Sequence, residues 1–294
     1  FLASLGFWAG LPWALKMPLG HLVDLIWKHK AYLVGLGAAV IAASLLIMYG
    51  LIGHTGFMAS IMPVETWFVT SVILGPVGYV IQDVVADAMT VEAVPEQDKN
   101  GNDIAPDQLK IMHTTMQTLG RFAIIGGTVL VSLANVIMFT DVDSLDAAAR
   151  IDLYADIYLY ALIIPVISIA GVVLARLQLS YRNAFAQHAH HTATSPHQPP
   201  EINWSILLGS LVFVVFSLSV GTSGIGYAQE IVFVGSVGII LFLMNRLMRF
   251  LKPEKRLMVF GTAIIIFTFR AMPSPGPGLT WFEIDQLLFN EQFL

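Results

Sequence analysis

Several ionisable side chains lie inside apolar stretches of this 294-residue chain, where they could bind ions, protons or a charged solute. Asp83 and Asp87 stand four residues apart, and Arg121 lies in the next apolar stretch. An ionisable group at membrane depth costs about 2.5–3.5 kcal/mol on insertion scales, so each is a functional candidate by default. A spacing of four places both carboxylates on one face of a helix.

The two aspartates are the candidates for proton coupling. Carboxylates that share a low-dielectric cavity repel each other, which favours protonation of one of them. Small and polar residues share the helix face of the aspartates: Gly75, Gly78, Tyr79, Gln82 and Ala86. Such a face is costly against lipid, so we expect it to line a cavity or to contact a partner.

Three cationic side chains are candidates for binding an anionic substrate or for pairing with these aspartates. Asp83 is expected about 15 Å from the cytoplasmic end of its helix and Arg121 about 18 Å, so the two are predicted to pair or to face one cavity. The alternative is a static pair that only fixes helix packing. Lys16 and Arg270 are the other candidates, and each could instead snorkel or pair elsewhere.

The composition excludes most other classes of protein. Hydrophobic residues make up 56% of the chain and charged residues 12%, about half the charged fraction of a soluble domain. A net charge of −5 offers no basic footprint for nucleic acid. The absence of cysteine excludes disulfides, thiolate zinc sites and thiol catalysis. The sequence therefore predicts an all-α polytopic membrane protein with no metal and no cofactor.

Eight stretches are predicted to cross a membrane, since about 20 apolar residues span its hydrocarbon core. They are residues 1–25, 31–52, 67–94, 109–139, 157–175, 202–222 and 226–245, and one from about 257 across Arg270 to the prolines at 273–277. Lysine and arginine follow the first, third, fifth and seventh stretches, and the alternate loops hold only Arg150. The positive-inside rule places the first group of loops in the cytoplasm.

We divide the chain into four parts. Residues 1–180 are predicted to form an N-terminal helix bundle, 181–203 a cytoplasmic linker, 204–250 a transmembrane hairpin, and 251–294 the start of a C-terminal bundle. The linker contains His188, His190, His191 and His197, which we interpret as solvated residues rather than metal ligands because no acidic residue or cysteine clusters with them.

Motifs along the chain resemble those of a transporter family. Gly20 and Asp24, followed by Lys28 and Lys30, resemble the gating loop between the second and third helices of the major facilitator superfamily. Leu25 and Trp27 depart from that pattern. Within the superfamily, three blocks resemble the folate–biopterin transporters: LPWALKMPLGHLVD at 11–24, QDVVADAMTVEAV at 82–94, and FRAMPSPGP at 269–277 with the following WFEIDQLLFNEQFL.

The resemblance implies a fold and a function. The first predicted span would be the family's second helix, 181–203 the central loop, and the hairpin an inserted pair. The family's first helix and most of its second half would be absent. The implied function is proton-coupled movement of folate- or pterin-like anions by alternating access, with a monomer in the plasma (inner) membrane. Lys16, Arg121 and Arg270 would meet substrate carboxylates, and Tyr79 and Gln82 the pterin ring.

Other functions remain open at this point. A major facilitator carrier for a sugar, a drug or a muropeptide-like solute is the main alternative. A non-transporting membrane protein is a weaker one, because it leaves the intramembrane charges unexplained. An intramembrane enzyme is not favoured, since the sequence contains no HExxH or GxSxG motif.

Overall fold

The computed structural model describes residues 9–10, 12–13, 16–26, 29–95, 97–98, 101–140, 142–186, 204–270 and 277–289. The described residues fall into two compact units, one that ends at residue 186 and one that covers 204–289. In the described part the regular structure is helical, apart from an isolated bridge between Gln97 and Asp103. Lys28, the four linker histidines and the prolines at 273 and 275 lie outside the described residues.

The first unit is built from these helices: α1 (Lys16–Leu25), α2 (Lys30–Gly53), α3 (Thr55–Ile61), α4 (Val64–Glu92), α5 (Pro106–Met138), α6 (Ala147–Ala161) and α7 (Ile163–Ala186). α2 is central and packs against α4, α6 and α7, while α1 packs against α4. Valines 23, 80, 84 and 85 form a buried cluster between α1 and α4. This packing fixes α1 beside the aspartate-bearing half of α4.

α2 and α4 approach each other closely because glycines face each other at their crossing. A Cβ added to Gly78 would lie 2.7 Å from the carbonyl oxygen of Gly37 and 2.9 Å from the amide nitrogen of Ile41. Further along, Ser44 Oγ donates to the Ser71 carbonyl at 2.8 Å, and Ser71 Oγ donates to the Ser44 carbonyl at 2.9 Å. Small residues and reciprocal hydroxyl bonds are typical of close helix contacts in membranes.

Individual residues explain where several of the helices begin or end. α5 begins with a proline, whose missing N–H costs nothing in the first turn. α6 is capped by Asp146, whose side chain accepts from the Ala149 amide at 2.8 Å. α6 and α7 are separated by a turn at Leu162, three residues before Pro165.

The second unit contains α8 (Trp204–Thr222), α9 (Ala228–Leu247), α10 (Pro253–Arg270) and α11 (Pro277–Asp285). α8 and α9 form a helical hairpin, and the turn between them has left-handed backbone at Gly224 (φ 68°) and Tyr227 (φ 63°). Glycine adopts that conformation without steric cost, which suits the short connection.

Five helical segments in the described part are long and apolar enough to cross a membrane: Lys30–Gly53, Val64–Val91, Pro106–Met138, Ala147–Gln178 and Ala228–Arg246. They indicate a membrane protein. α8 has a shorter apolar part, Leu207–Gly221. The first predicted span is described only in pieces, and α10 has charged residues at both ends. The predicted number of eight spans stays a prediction.

Some predicted boundaries differ from the observed helices. The fifth span was expected at 157–175, but helical structure begins at Ala147 and continues after the turn to Ala186, six residues into the predicted linker. The physical reason is that hydropathy detects only the apolar part of a helix. Polar turns at either end extend the helix without changing the apolar stretch.

Candidate functional site

The candidate site is centred on the middle of α4, where both aspartates project from one side of the helix. Pro76 lies inside this helix, whose hydrogen-bonded structure continues through it. The exposed fraction of the Asp83 side chain is 20% and that of Asp87 is 63%. Asp83 therefore lies largely inside the protein and Asp87 at its edge.

Lys16 of α1 holds both carboxylates. Its Nζ lies 2.7 Å from Asp83 Oδ2 and 2.7 Å from Asp87 Oδ2. The Asp83 Oδ2 atom is buried, and no other described group donates a hydrogen bond to it. The arrangement is a three-membered ion cluster, with one ammonium group between two carboxylates.

An open cavity of about 400 Å³ lies beside Asp83. Its walls come from three helices. They are lined by Val34 of α2, by Tyr79, Gln82, Asp83, Ala86 and Met89 of α4, and by Ile167, Ser168, Gly171 and Val172 of α7. The lining is mostly apolar with a few polar groups, which is the usual composition of a small-molecule site, and the volume falls in the usual range.

Gln82 joins the three helices at the back of this cavity. Its Nε2 donates to the Val34 carbonyl at 3.2 Å, and its Oε1 accepts from Ser168 Oγ at 3.3 Å. α2 can approach Gln82 because residue 37 is glycine: a Cβ there would lie 2.7 Å from Gln82 Cγ. The amide is thus held in place and partly exposed to the cavity.

Two aromatic rings lie next to each other near the cavity. The ring centroids of Trp13 and Tyr79 are 5.3 Å apart and the rings are tilted by 55°. Tyr79 lines the cavity, and its exposed fraction of 46% leaves ring surface available. Such surface can pack against a planar aromatic ligand.

The charge of the ion cluster depends on its protons. With both carboxylates ionised the cluster carries one positive and two negative charges, a net −1. One proton makes it neutral, and a second leaves the Lys16 ammonium without a carboxylate counter-ion. Protonation of both carboxylates would thus leave the Lys16 cation available to an anion.

The structure brings together part of the predicted site. Lys16, Asp83 and Asp87 are in direct contact, and Tyr79 and Gln82 line the adjoining cavity. The prediction that Asp83 pairs with Arg121 is wrong, because the Asp83 carboxylate contacts the Lys16 ammonium group instead. Arg121 is exposed on α5, a helix on which none of the described residues is buried.

The remaining predicted site residues take no part in the ion pairs that Lys16 forms with Asp83 and Asp87. Arg270 is exposed and ends α10, in the second unit. Gly20 and Asp24 belong to α1 rather than to a loop, and Asp24 is exposed. Lys30 is the first residue of α2. In the described part of the chain, no group of three or more His, Asp or Glu side chains is placed to hold a metal ion.

Several residues at the site were not expected from the sequence. Val34, Ser168 and Gly171 lie in the predicted spans 31–52 and 157–175, which contain no charged residue that would indicate a site. Gly171 and Val172 follow Ser168 by three and four positions, and the three residues therefore lie on one face of α7. The small residues Ser168 and Gly171 on this face are the sequence feature that indicates a close helix contact there.

The chain matches no protein-family model, no curated protein and no solved structure.

Proposed function

We propose that the protein is a secondary active transporter that couples the movement of an organic anion to protons. The observation that carries the proposal is the ion cluster of Lys16, Asp83 and Asp87 beside a cavity of about 400 Å³. A cluster that only fixed helix packing would need no adjoining cavity. Charged groups at membrane depth commonly mark proton and substrate pathways.

The charge of the cluster links proton binding to anion binding. While both carboxylates are ionised, the net charge of −1 repels an anion. Protonation of Asp83 or Asp87 removes this repulsion and weakens the hold of the carboxylates on Lys16. The anion therefore binds better to the protonated site, and by reciprocity the bound anion increases the proton affinity of the aspartates. This linkage is what a proton symporter requires.

Folate- or pterin-like molecules are the substrate class that we propose. A carboxylate of the substrate would bind Lys16, while a planar pterin ring would pack on Tyr79 and exchange hydrogen bonds with Gln82. The resemblance of blocks 11–24 and 82–94 to the folate–biopterin transporters supports the same class. Arg121 does not line this cavity, and Arg270 belongs to the second unit.

The proposal extends to architecture and location. We propose a major-facilitator-type bundle with about eight spans in this chain, present as a monomer in the plasma (inner) membrane. The five long apolar helices support a membrane bundle. In such a bundle, alternating access would open the cavity to one side of the membrane at a time.

Uptake of labelled folate into proteoliposomes tests the proposal. It is measured with and without an inward proton gradient, for the unchanged protein, for Asp83→Asn, and for Asp107→Asn as a control. Asp107 is an exposed carboxylate in the first turn of α5, outside the cavity. We expect gradient-driven uptake that is lost in Asp83→Asn and kept in Asp107→Asn.

Two results would change the proposal. Folate uptake at the same rate with and without the inward proton gradient would contradict proton coupling. Failure to move folate or pterins, together with gradient-driven uptake of another solute, would assign the function to a different carrier of the same type. The sugar, drug and muropeptide-like solutes considered from the sequence would then be tested first.

A further inference from the structure

A second, smaller cavity lies in the hairpin of the second unit. It has a volume of about 220 Å³ and is formed between α8 and α9. One residue, Arg246, is charged, and the rest are apolar, small or hydroxylic: Ser205, Leu208, Gly209, Val212, Ile239, Phe242 and Leu243. The cavity is thus an apolar groove with a guanidinium group at the end where α9 finishes.

Close packing keeps the two walls of the groove in place. A Cβ added to Gly209 would lie 2.6 Å from Leu243 Cδ2, so α8 rests directly on the Leu243 side chain. Beside this contact the side chains of Leu208, Val212 and Phe242 are exposed by more than half. The groove therefore presents apolar surface that no described part of the hairpin covers.

A basic segment continues from the charged end of the groove. Residues 246–256 contain Arg246, Arg249, Lys252, Lys255 and Arg256 against one acid, Glu254, a net charge of +4 in a chain whose total is −5. The first four side chains are exposed. Arg256 is engaged differently: its guanidinium hydrogen-bonds to Asn245 and lies 6.0 Å from the Phe260 ring centre.

We infer that this groove and basic segment bind one anionic phospholipid. A stretch of acyl chain lies along Leu208, Val212 and Phe242, and the phosphate of the headgroup contacts the guanidinium of Arg246. The exposed cations at 249, 252 and 255 add attraction for the negative headgroup and for its neighbours in the lipid layer. Clusters of four to eight basic residues directly beyond a membrane helix are typical of anionic lipid binding.

The geometry favours a phospholipid over other anions. A free phosphate would use Arg246 but would leave the apolar groove exposed, whereas an acyl chain fills it. An acidic peptide would use the basic segment in the same way, but its charged side chains would leave the apolar groove without an apolar partner. The inference is independent of which solute the protein transports and requires only that the hairpin lies in a bilayer.

Lipid binding to the purified full chain tests the inference. Native mass spectrometry compares phosphatidylglycerol with phosphatidylcholine of the same acyl chains, and inorganic phosphate serves as the free anion. The variants are Arg246→Gln, Val212→Trp, which fills the groove without changing charge, and Lys110→Gln as the control. Lys110 is an exposed cation of α5, in the first unit.

We expect phosphatidylglycerol to bind more tightly than phosphatidylcholine. Arg246→Gln should lower its affinity about fivefold, the effect of about 1 kcal/mol per basic residue at the lipid surface. Val212→Trp should also weaken phosphatidylglycerol but leave phosphate unaffected, and Lys110→Gln should change nothing. Equal affinity for the two lipids, or equal effects of Arg246→Gln and Lys110→Gln, would overturn the inference. So would phosphatidylglycerol binding that is insensitive to Val212→Trp, because the site would then be one for a free anion.

Discussion

Replacement of Lys16 by methionine removes the cation from the ion cluster and keeps most of the volume of the side chain. The two carboxylates, each 2.7 Å from the lysine Nζ, would then face each other without a counter-ion. Asp83 is four-fifths buried, so water cannot fully replace the lost ammonium group. We therefore expect the variant to be less stable than the unchanged protein.

The size of this effect follows from the exposure of each group. Loss of one partner from a fully buried pair costs about 3–5 kcal/mol, whereas an exposed pair contributes about 0–1 kcal/mol. The Lys16 side chain is 41% exposed and that of Asp87 is 63% exposed, so the energy of the contact between these two is near that of an exposed pair. The energy of the contact between Lys16 and Asp83 lies between that of an exposed pair and that of a fully buried pair. We expect Lys16→Met to lower the free energy of unfolding by about 2 kcal/mol.

A double-mutant cycle isolates the pair between Lys16 and Asp83. The free energy of unfolding is measured in mixed micelles for Lys16→Met, Asp83→Asn and the double variant, with Lys110→Met as the control. Removal of the carboxylate charge relieves the repulsion left by Lys16→Met, so the double variant should be more stable than the sum of the single effects by about 1–2 kcal/mol. Lys110→Met should change stability by less than about 0.5 kcal/mol.

Additive effects would refute this reasoning. A coupling energy below about 0.5 kcal/mol would mean that Lys16 and Asp83 are energetically independent despite their separation of 2.7 Å. A strong coupling between Asp83 and Arg121 in a parallel cycle would restore the pairing that the sequence suggested. Either result would remove the ion cluster as the basis for proton coupling.

Three further substitutions probe the packing around the site. Gly78→Ala should destabilise the protein by about 1–3 kcal/mol, because the new Cβ overlaps the backbone of α2. Thermal unfolding measures the loss of stability. The control is Gly126→Ala, because a Cβ at that position meets nothing within 4 Å. A similar loss in both variants would show that the overlap of the new Cβ with α2 is not responsible, since helix propensity alone favours alanine over glycine. Ser44→Ala should cost about 1–2 kcal/mol because it leaves the buried Ser71 hydroxyl with fewer partners, and replacement of both serines should cost less than the sum of the single changes. Arg121→Gln should leave the free energy of unfolding within about 0.5 kcal/mol, since the side chain is exposed on α5; a larger loss would indicate a partner that α5 acquires elsewhere.

The sequence predicts the long apolar helices well because length and hydropathy suffice for them. α2 was expected at 31–52 and runs Lys30–Gly53, and α4 was expected at 67–94 and runs Val64–Glu92. α6 and α7 were less predictable, since their polar ends and the turn at Leu162 leave the hydropathy of the apolar stretch almost unchanged.

The sequence predicts the two acidic residues of the candidate site but not the cation that pairs with them. Depth along the helix was the argument for Arg121, yet Lys16, nine residues before the end of α1, lies at about 14 Å on the same scale. Both cations are within one helical turn of the depth of Asp83. Depth does not tell which helix faces which, and the packing of α1 against α4 decides in favour of Lys16.

The sequence alone does not predict the contacts between distant parts of the chain. Gln82 and Ser168 are 86 positions apart, and no local pattern indicates that α7 lies against this part of α4. The cavity depends on that contact. Only the small residues on one face of α7 indicated a closely packed surface there.

The most direct test of the account is whether the substrate carries protons with it. Proteoliposomes that contain a pH-sensitive dye are given an inward folate gradient with no initial pH difference, and the internal pH is followed. We predict acidification of the interior by the unchanged protein, and folate binding or exchange without acidification by Asp83→Asn. Folate entry with no change in internal pH, or acidification that persists in Asp83→Asn, would contradict the proposal that the cluster of Lys16, Asp83 and Asp87 couples protons to transport.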